Sequence, residues 1–125
     1  MKKLTCLILM VVLLFTTAFA IGTVPTVEEL ARDWISITQL NDGGFRMEFF
    51  SIKADGTLAY MNRTVYGDGS DSWGREFFGS WTLTSKGAHL VYGNNADSYV
   101  TMQKGWMILE ISPGAYVIYS PIPKP

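Results

Sequence analysis

The chain has 125 residues, of which 48% are hydrophobic and 17% charged, and its formal net charge is −1. This length suits one domain with a single core and is short for two. The basic residues are scattered and outnumbered by acidic ones, which argues against the basic surface that a nucleic-acid-binding protein needs. The sequence therefore indicates one small domain that does not bind nucleic acid.

The first twenty residues have the three parts of a secretory signal peptide. Lys2 and Lys3 are followed by an apolar stretch at 4–15 and by the small residues Ala18 and Ala20 on either side of Phe19. A bilayer-spanning helix needs roughly 20 apolar residues, and this stretch is shorter. We expect residues 1–20 to be removed, leaving an exported domain at 21–125 that is secreted or periplasmic and has no membrane span.

Export usually permits disulfide bonds, but the one cysteine, Cys6, lies within the predicted signal peptide. The domain must therefore be held together by its core alone. Four tryptophans and six tyrosines are available for this purpose. Large rings bury enough area to compensate for missing disulfides.

In chain order, the first predicted element is a short helix. Thr26 and Glu29 have the spacing of a capping box, which predicts a helix that ends at about Asp33. After it, turn signals rich in glycine and asparagine separate runs of aromatic and β-branched residues. We predict eight strands, at 34–39, 45–53, 57–63, 75–84, 88–93, 98–103, 106–112 and 115–120.

Alternation within these runs predicts which side chains face the core. In the strand at 45–53, the predicted core face consists of Phe45, Met47 and Phe49, and Arg46 and Glu48 lie on the other face. In the strand at 75–84, Phe77, Gly79, Trp81 and Leu83 share the core face. The interior is expected to be organised around Trp81.

Short connections between the predicted strands imply antiparallel neighbours, because parallel pairing requires longer crossovers. Eight such strands form either a closed up-and-down barrel or a sandwich. Closure removes exposed edges, and eight strands can enclose side chains or one small ligand. We predict an all-β, eight-stranded antiparallel barrel that follows a short N-terminal helix.

Several short motifs follow the predicted helix. Trp34 opens the first strand, FSIKADGTLAY occupies 50–60, GSWTL occupies 79–83 and HLVY occupies 89–92. In these features the chain resembles the small bacterial lipocalin-like domains of the calycin type. The resemblance covers most of residues 21–125 and implies a barrel with an apolar interior and an open mouth.

Residues that could carry catalysis or bind a metal are few. The single histidine, His89, has no cysteine partner outside the signal peptide, and one histidine does not make a zinc site. Glu48 and Glu76 are predicted to face solvent, whereas Glu110 could lie at a barrel mouth. Asp68 and Asp71 miss the spacing of an EF-hand. We predict no enzyme activity, no metal site and no cofactor.

Two functions are compatible with these features. In the first, the barrel binds a small apolar ligand in a cavity lined by Tyr60, Phe77, Trp81 and Met102. The long connection at 64–74 acts as a gate to this cavity. The same four side chains could instead simply fill the core. In the second, the domain binds a protein partner through the rings of Tyr66 and Trp73 in that connection. An exposed Trp73 would favour the second function, and a Trp73 folded over the mouth would favour the first.

Overall fold

The computed structural model describes residues 22–124 of the chain. The predicted signal peptide and its cleavage site lie outside these residues. In the part that is described, no helix is long and apolar enough to cross a membrane.

The helix and the strands follow the predicted order. The helix α1 (Val27–Leu30) begins with the predicted capping box between Thr26 and Glu29. The strands are β1 (Asp33–Gln39), β2 (Phe45–Ile52), β3 (Thr57–Val65), β4 (Asp71–Trp73), β5 (Phe77–Thr84), β6 (Gly87–Tyr92), β7 (Asn95–Gln103), β8 (Trp106–Ser112) and β9 (Ala115–Pro121).

The strands form one antiparallel sheet that closes on itself. Neighbouring strands follow the order β2, β1, β9, β8, β7, β6, β5 and β3, and β3 pairs again with β2. The short strand β4 pairs with the outer part of β3 and is the last strand in the sheet order. The predicted eight-stranded up-and-down barrel is therefore confirmed, with β4 as an addition at its rim.

The two ends of the barrel differ. Leu30 of α1 is fully buried, and the indole Nε1 of Trp34 donates a hydrogen bond to the Leu30 carbonyl over 3.0 Å. The helix therefore covers one end. The connections after β1, β3, β6 and β8 lie at the opposite end, which we call the mouth.

The core occupies the barrel interior. Its largest fully buried side chains include Trp34, Phe50, Leu90, Met107 and Tyr119. Together with their neighbours they form one continuous cluster of buried residues. This burial of large rings is the main stabilising contribution, as expected for a domain without disulfides.

The predicted core face of β2 is wrong. Phe50 is opposite the buried Trp34 and the buried Tyr60, so even-numbered positions of β2 point inward. Phe45, Met47 and Phe49 point outward, and Phe45 is 45% exposed. Both faces of this strand carry apolar residues, so alternation alone could not identify the core face. Glu48, predicted to be solvated, points into the barrel.

The connection at 64–74 is not a long loop. β3 continues to Val65, and Asp71–Trp73 returns along it as β4, which leaves a turn at 66–70. The predicted strand at 75–84 therefore begins at Phe77, and the strand predicted at 98–103 begins at Asn95. Leu83, predicted to share the core face with Trp81, is 44% exposed because it lies near the end of the barrel.

Candidate functional site

The mouth has a polar inner wall on one side. The register across the first four strands places Thr38, Arg46, Thr64 and Ser72 in one row on the inner face. Glu48 and Asn62 are paired one step deeper in the barrel. Below them the interior is apolar, so this wall brings polar groups to the edge of the hydrophobic core.

Glu48 is the carboxylate nearest the core at this end. Its Oε1 accepts a hydrogen bond from the Tyr60 hydroxyl over 2.6 Å and lies 3.9 Å from Nη2 of Arg46. The Glu48 side chain is 20% exposed and that of Arg46 is 45% exposed. Both contacts are made by Oε1.

Three tyrosines share the electrostatic field of Glu48. Burial, and next the hydrogen bond to Glu48, raise the pKa of Tyr60 to about 12. Burial also raises the pKa of Tyr92 and of Tyr119, and in each the charge of Glu48 adds to the effect. All three hydroxyls therefore stay protonated at neutral pH and can act as hydrogen-bond donors.

The rings of these tyrosines pack around Phe50. The centroid of Phe50 lies 5.0 Å from that of Tyr60, 5.1 Å from Tyr92 and 5.2 Å from Tyr119. The Tyr60 and Tyr92 centroids are 5.1 Å apart, and Phe77 stacks on Tyr60 at 6.4 Å. We call Glu48, Phe50, Tyr60, Tyr92 and Tyr119 the mouth cluster.

A surface depression adjoins the mouth cluster. It has a volume of about 460 Å³, and its lining includes Phe77, Tyr92, Asn95, Asp97 and Ile111. The Asn95 amide donates a hydrogen bond to the Tyr92 hydroxyl over 3.1 Å. The depression thus has aromatic and aliphatic walls with a carboxylate, Asp97, at its border.

The hairpin formed by β3 and β4 is fixed at its tip. Asp68 accepts hydrogen bonds from the main-chain nitrogen and the hydroxyl of Ser70, which lower the pKa of its carboxyl. Asp42, in the turn after β1, accepts hydrogen bonds from Gly67 and Gly44, which lower its pKa as well. Hydrogen bonds within the turn at 66–70 and to Asp42 of the neighbouring hairpin therefore hold the tip in place.

Trp73 points outward from the wall of the barrel and does not cover the mouth. Across neighbouring strands, Trp73 is paired with Arg63, Arg63 with Met47, and Met47 with Ile37. Successive partners share one face of a sheet, and Met47 lies on the outer face. We call these four residues the hairpin surface. The Trp73 side chain is 54% exposed and that of Ile37 is 59% exposed.

Arg63 is held in place on this surface. Its Nη2 lies 2.6 Å from Oδ2 of Asp71 and its Nε lies 3.2 Å from the same oxygen. The guanidinium carbon is 4.9 Å from the centroid of the Trp73 ring, which is a cation–π distance. Tyr66, at the start of the turn, is 44% exposed.

The six residues predicted to bind a ligand or a partner do not form one site. Tyr60 and Phe77 are at the mouth, and Tyr66 and Trp73 are on the outside of the β3–β4 hairpin. Trp81 and Met102 are buried near the closed end, where Nε1 of Trp81 donates to the Lys53 carbonyl over 2.8 Å. Glu48, predicted to face solvent, belongs to the inner wall because the even-numbered positions of β2 point inward.

The other titratable residues considered from the sequence lie on the outer wall. The ring of His89 stacks on Tyr99, with centroids 4.8 Å apart, and its Nε2 contacts the Ala96 carbonyl. Glu110 is opposite Tyr116 and Tyr99 in the register, so it faces outward and not into the mouth. Across residues 22–124, no three histidine, cysteine or acidic side chains gather into a group that could hold a metal ion.

Comparisons with protein families, with curated proteins and with solved structures give no match to this chain.

Proposed function

We propose that this chain is an exported, non-enzymatic interaction module that binds another protein through the β3–β4 hairpin. The observation that carries the proposal is the outward position of Trp73, a half-exposed indole stacked against a guanidinium that Asp71 holds. Tryptophan, tyrosine and arginine are the residues most often found at interaction hot spots. The hairpin offers one of each, in Trp73, Tyr66 and Arg63.

A rigid hairpin favours binding because little conformational entropy is lost when a partner docks. The Asp68, Asp42 and Asp71 hydrogen bonds already fix the tip and the Arg63 side chain. Arg63 and Trp73 also face the apolar Met47 and Ile37 on the outer wall. An exposed apolar patch next to ordered aromatic and basic side chains is typical of protein interaction sites.

The free edge of β4 indicates how the partner binds. The main-chain amide of Tyr66 donates to the Ser70 carbonyl, and the amide of Gly74 donates to the Asn62 carbonyl. Hydrogen-bonded pairs alternate along an antiparallel ladder, so the main chain of Ser72, which is paired with Thr64, is also hydrogen-bonded to β3. The main-chain groups of Asp71 and Trp73 must then point away from β3. In the part of the chain that the structure describes, β4 pairs with β3 alone. We therefore propose that an extended segment of the partner adds a strand to this edge, with an apolar side chain against Trp73.

The apolar-ligand carrier has less support. Tyr60, Trp81 and Met102, which would line its cavity, belong to the buried core cluster and are at most 9% exposed. They are parts of one continuous packed core, as in a small barrel that fills its own interior. Membership of a lipocalin-like family remains part of this proposal, since the closed eight-stranded barrel agrees with it. Export to the periplasm or the exterior is likewise proposed, from the signal-peptide pattern alone.

Trp73→Ala should weaken binding of the partner. A protein recovered from an envelope extract on the immobilised domain would be purified, and its Kd for each variant measured by calorimetry. We expect Trp73→Ala to raise the Kd at least about 30-fold, as loss of a hot-spot ring does. The matched control is Trp106→Ala, which removes a 53% exposed tryptophan near the closed end and should change the Kd less than about threefold.

Two outcomes would contradict this proposal. The first is an equal Kd for the Trp73→Ala and Trp106→Ala variants, or no protein bound by the unmodified domain. The second is self-association of the domain, with Trp73→Ala restoring the monomer in sedimentation experiments, because the occupant of the hairpin surface would then be a second copy.

A further inference from the structure

We propose that a depression at the closed end of the barrel binds a phosphate group. The depression has a volume of about 300 Å³, and its lining includes the basic residues Arg32, Lys53 and Lys124. We call it the basic depression. It shares no residue with the β3–β4 hairpin, so this inference is independent of the proposed function.

Three separate segments of the chain bring the basic residues together. Arg32 lies between α1 and β1, Lys53 follows β2, and Lys124 follows β9. The amide of Ile52, next to Lys53, donates to the Arg32 carbonyl over 3.1 Å. Nη2 of Arg32 donates to the Ile122 carbonyl over 3.4 Å, which links the segment after β9 to the same place. The three positive charges are far apart in the sequence but line one depression.

The lining of the basic depression carries an excess of positive charge. Its three cations are accompanied by one carboxylate, that of Asp33. Among the described residues the ion pairs are those of Arg46 and Arg63, so none of the three cations forms one. Asp55, in the turn after β2, instead accepts hydrogen bonds from the amide and the hydroxyl of Thr57. A chain with a formal net charge of −1 thus has a local site of positive potential.

Arg32 has hydrogen-bonding capacity that the described part of the protein does not use. Its 3.4 Å bond to the Ile122 carbonyl is long, and its guanidinium carbon lies 5.7 Å from the centroid of the Trp34 ring. Nε of Arg32 is buried and has no hydrogen-bond partner within residues 22–124, which is unusual for a buried polar group. A small rotation of the guanidinium breaks no short hydrogen bond. It would turn Nε and one Nη towards an anion in the depression, for the paired bonds that arginine makes with phosphate.

A multivalent anion fits this site better than a monovalent one. Lys53 and Lys124 are exposed, and a single exposed charge pair contributes little because water and salt screen it. A phosphate group carries more than one negative charge at neutral pH and has three acceptor oxygens, so its attractions to the three cations add up. The planar guanidinium and the lysine ammonium are both groups that proteins use to bind phosphate. Small phosphate compounds and lipid headgroups present this same chemistry.

Pyrophosphate is the soluble probe for the basic depression, and acetate is the monovalent comparison. Binding to the domain at low ionic strength would be followed by calorimetry and by the NMR shifts of the main-chain amides. We expect pyrophosphate to bind with a Kd of about 1 mM or tighter, and at least about tenfold more tightly than acetate. The shifts should be largest at the amides of Arg32, Lys53 and Lys124.

The double variant Lys53→Gln, Lys124→Gln removes two of the three cations. Both side chains are exposed, so the fold should be retained, and we expect pyrophosphate binding to weaken at least about tenfold. The matched control is Lys86→Gln, Lys104→Gln. It removes the same charge from exposed lysines outside the basic depression and should weaken binding less than about threefold. Arg32→Lys keeps the charge but loses the paired bonds, so binding should weaken about threefold or more.

Vesicles distinguish the two sources of the phosphate group. The domain would be sedimented with vesicles of phosphatidylcholine, with and without phosphatidic acid. Binding that requires phosphatidic acid, and that the double variant at 53 and 124 loses, would identify a lipid headgroup. Pyrophosphate binding without vesicle binding would identify a soluble phosphate compound. Either result supports the inference.

Three results would overturn the inference. These are no detectable pyrophosphate binding at about 10 mM, equal binding of pyrophosphate and acetate, or equal pyrophosphate binding by the two double variants. The third would show that pyrophosphate responds only to the overall charge of the domain. Trp73→Ala should bind pyrophosphate as the unmodified domain does, so the inference and the proposed function fail separately.

Discussion

Replacing Trp81 by alanine should lower the free energy of unfolding by about 3–5 kcal/mol, the cost of truncating a large buried ring. Trp81 is 6% exposed and belongs to the core cluster. Its Nε1 also donates to the Lys53 carbonyl over 2.8 Å, which ties the turn between β2 and β3 to β5. Truncation would create a cavity and remove the shorter of the two hydrogen bonds to that carbonyl, leaving the bond from the Gly56 amide over 3.2 Å.

Urea denaturation of both tryptophan variants would measure this effect. Trp106→Ala is again the control, because a 53% exposed side chain should change stability by no more than about 0.5 kcal/mol. Equal urea midpoints for Trp81→Ala and the unmodified domain would show that Trp81 is not a core residue.

Replacing Trp34 by alanine should cost a similar amount, about 3–5 kcal/mol, and should also loosen the helix α1. Trp34 is 1% exposed, lies opposite Phe50 and donates from Nε1 to the carbonyl of Leu30, the last residue of α1. Without the indole, the Leu30 carbonyl keeps only the hydrogen bond from the Arg32 amide, and Leu30 loses its packing.

Trp34→Phe separates the two contributions. It keeps a large ring in the core but removes the indole donor, so we expect a smaller loss, about 1–3 kcal/mol. Urea denaturation gives the stability, and amide hydrogen exchange at 27–31 reports the helix. Unchanged exchange in Trp34→Ala would contradict the view that Trp34 anchors α1.

The sequence could predict the architecture because turn chemistry and strand runs agree along the chain. Glycine and asparagine signals separate runs of strand length, and the capping box at Thr26 marks α1. Every predicted strand is present, with changes at the ends. Short connections then leave few antiparallel topologies, and a closed barrel is favoured over a sandwich because closure removes the exposed edges.

The candidate sites were harder to predict, for two physical reasons. β2 is apolar on both faces, so the inward position of Glu48 is determined by its register with Trp34 and Tyr60, which alternation does not reveal. At 64–74, glycine, serine and aspartate predict a loop, so β4 was not recognised from the sequence. Its pairing with β3 is supported by the side-chain hydrogen bonds of Asp42 and Asp68 at the tip, which the sequence does not reveal. Tyr66 and Trp73 were still recognisable as large rings in a glycine-rich stretch.

The proposal that a partner strand adds to β4 is tested most directly by amide hydrogen exchange of the domain with and without its bound partner. The amides of Asp71 and Trp73 point away from β3 and should exchange readily in the free domain. We expect both to become protected on binding, while the amide of Trp106 at the closed end is unchanged. Binding that leaves Asp71 and Trp73 as unprotected as in the free domain would contradict the proposal.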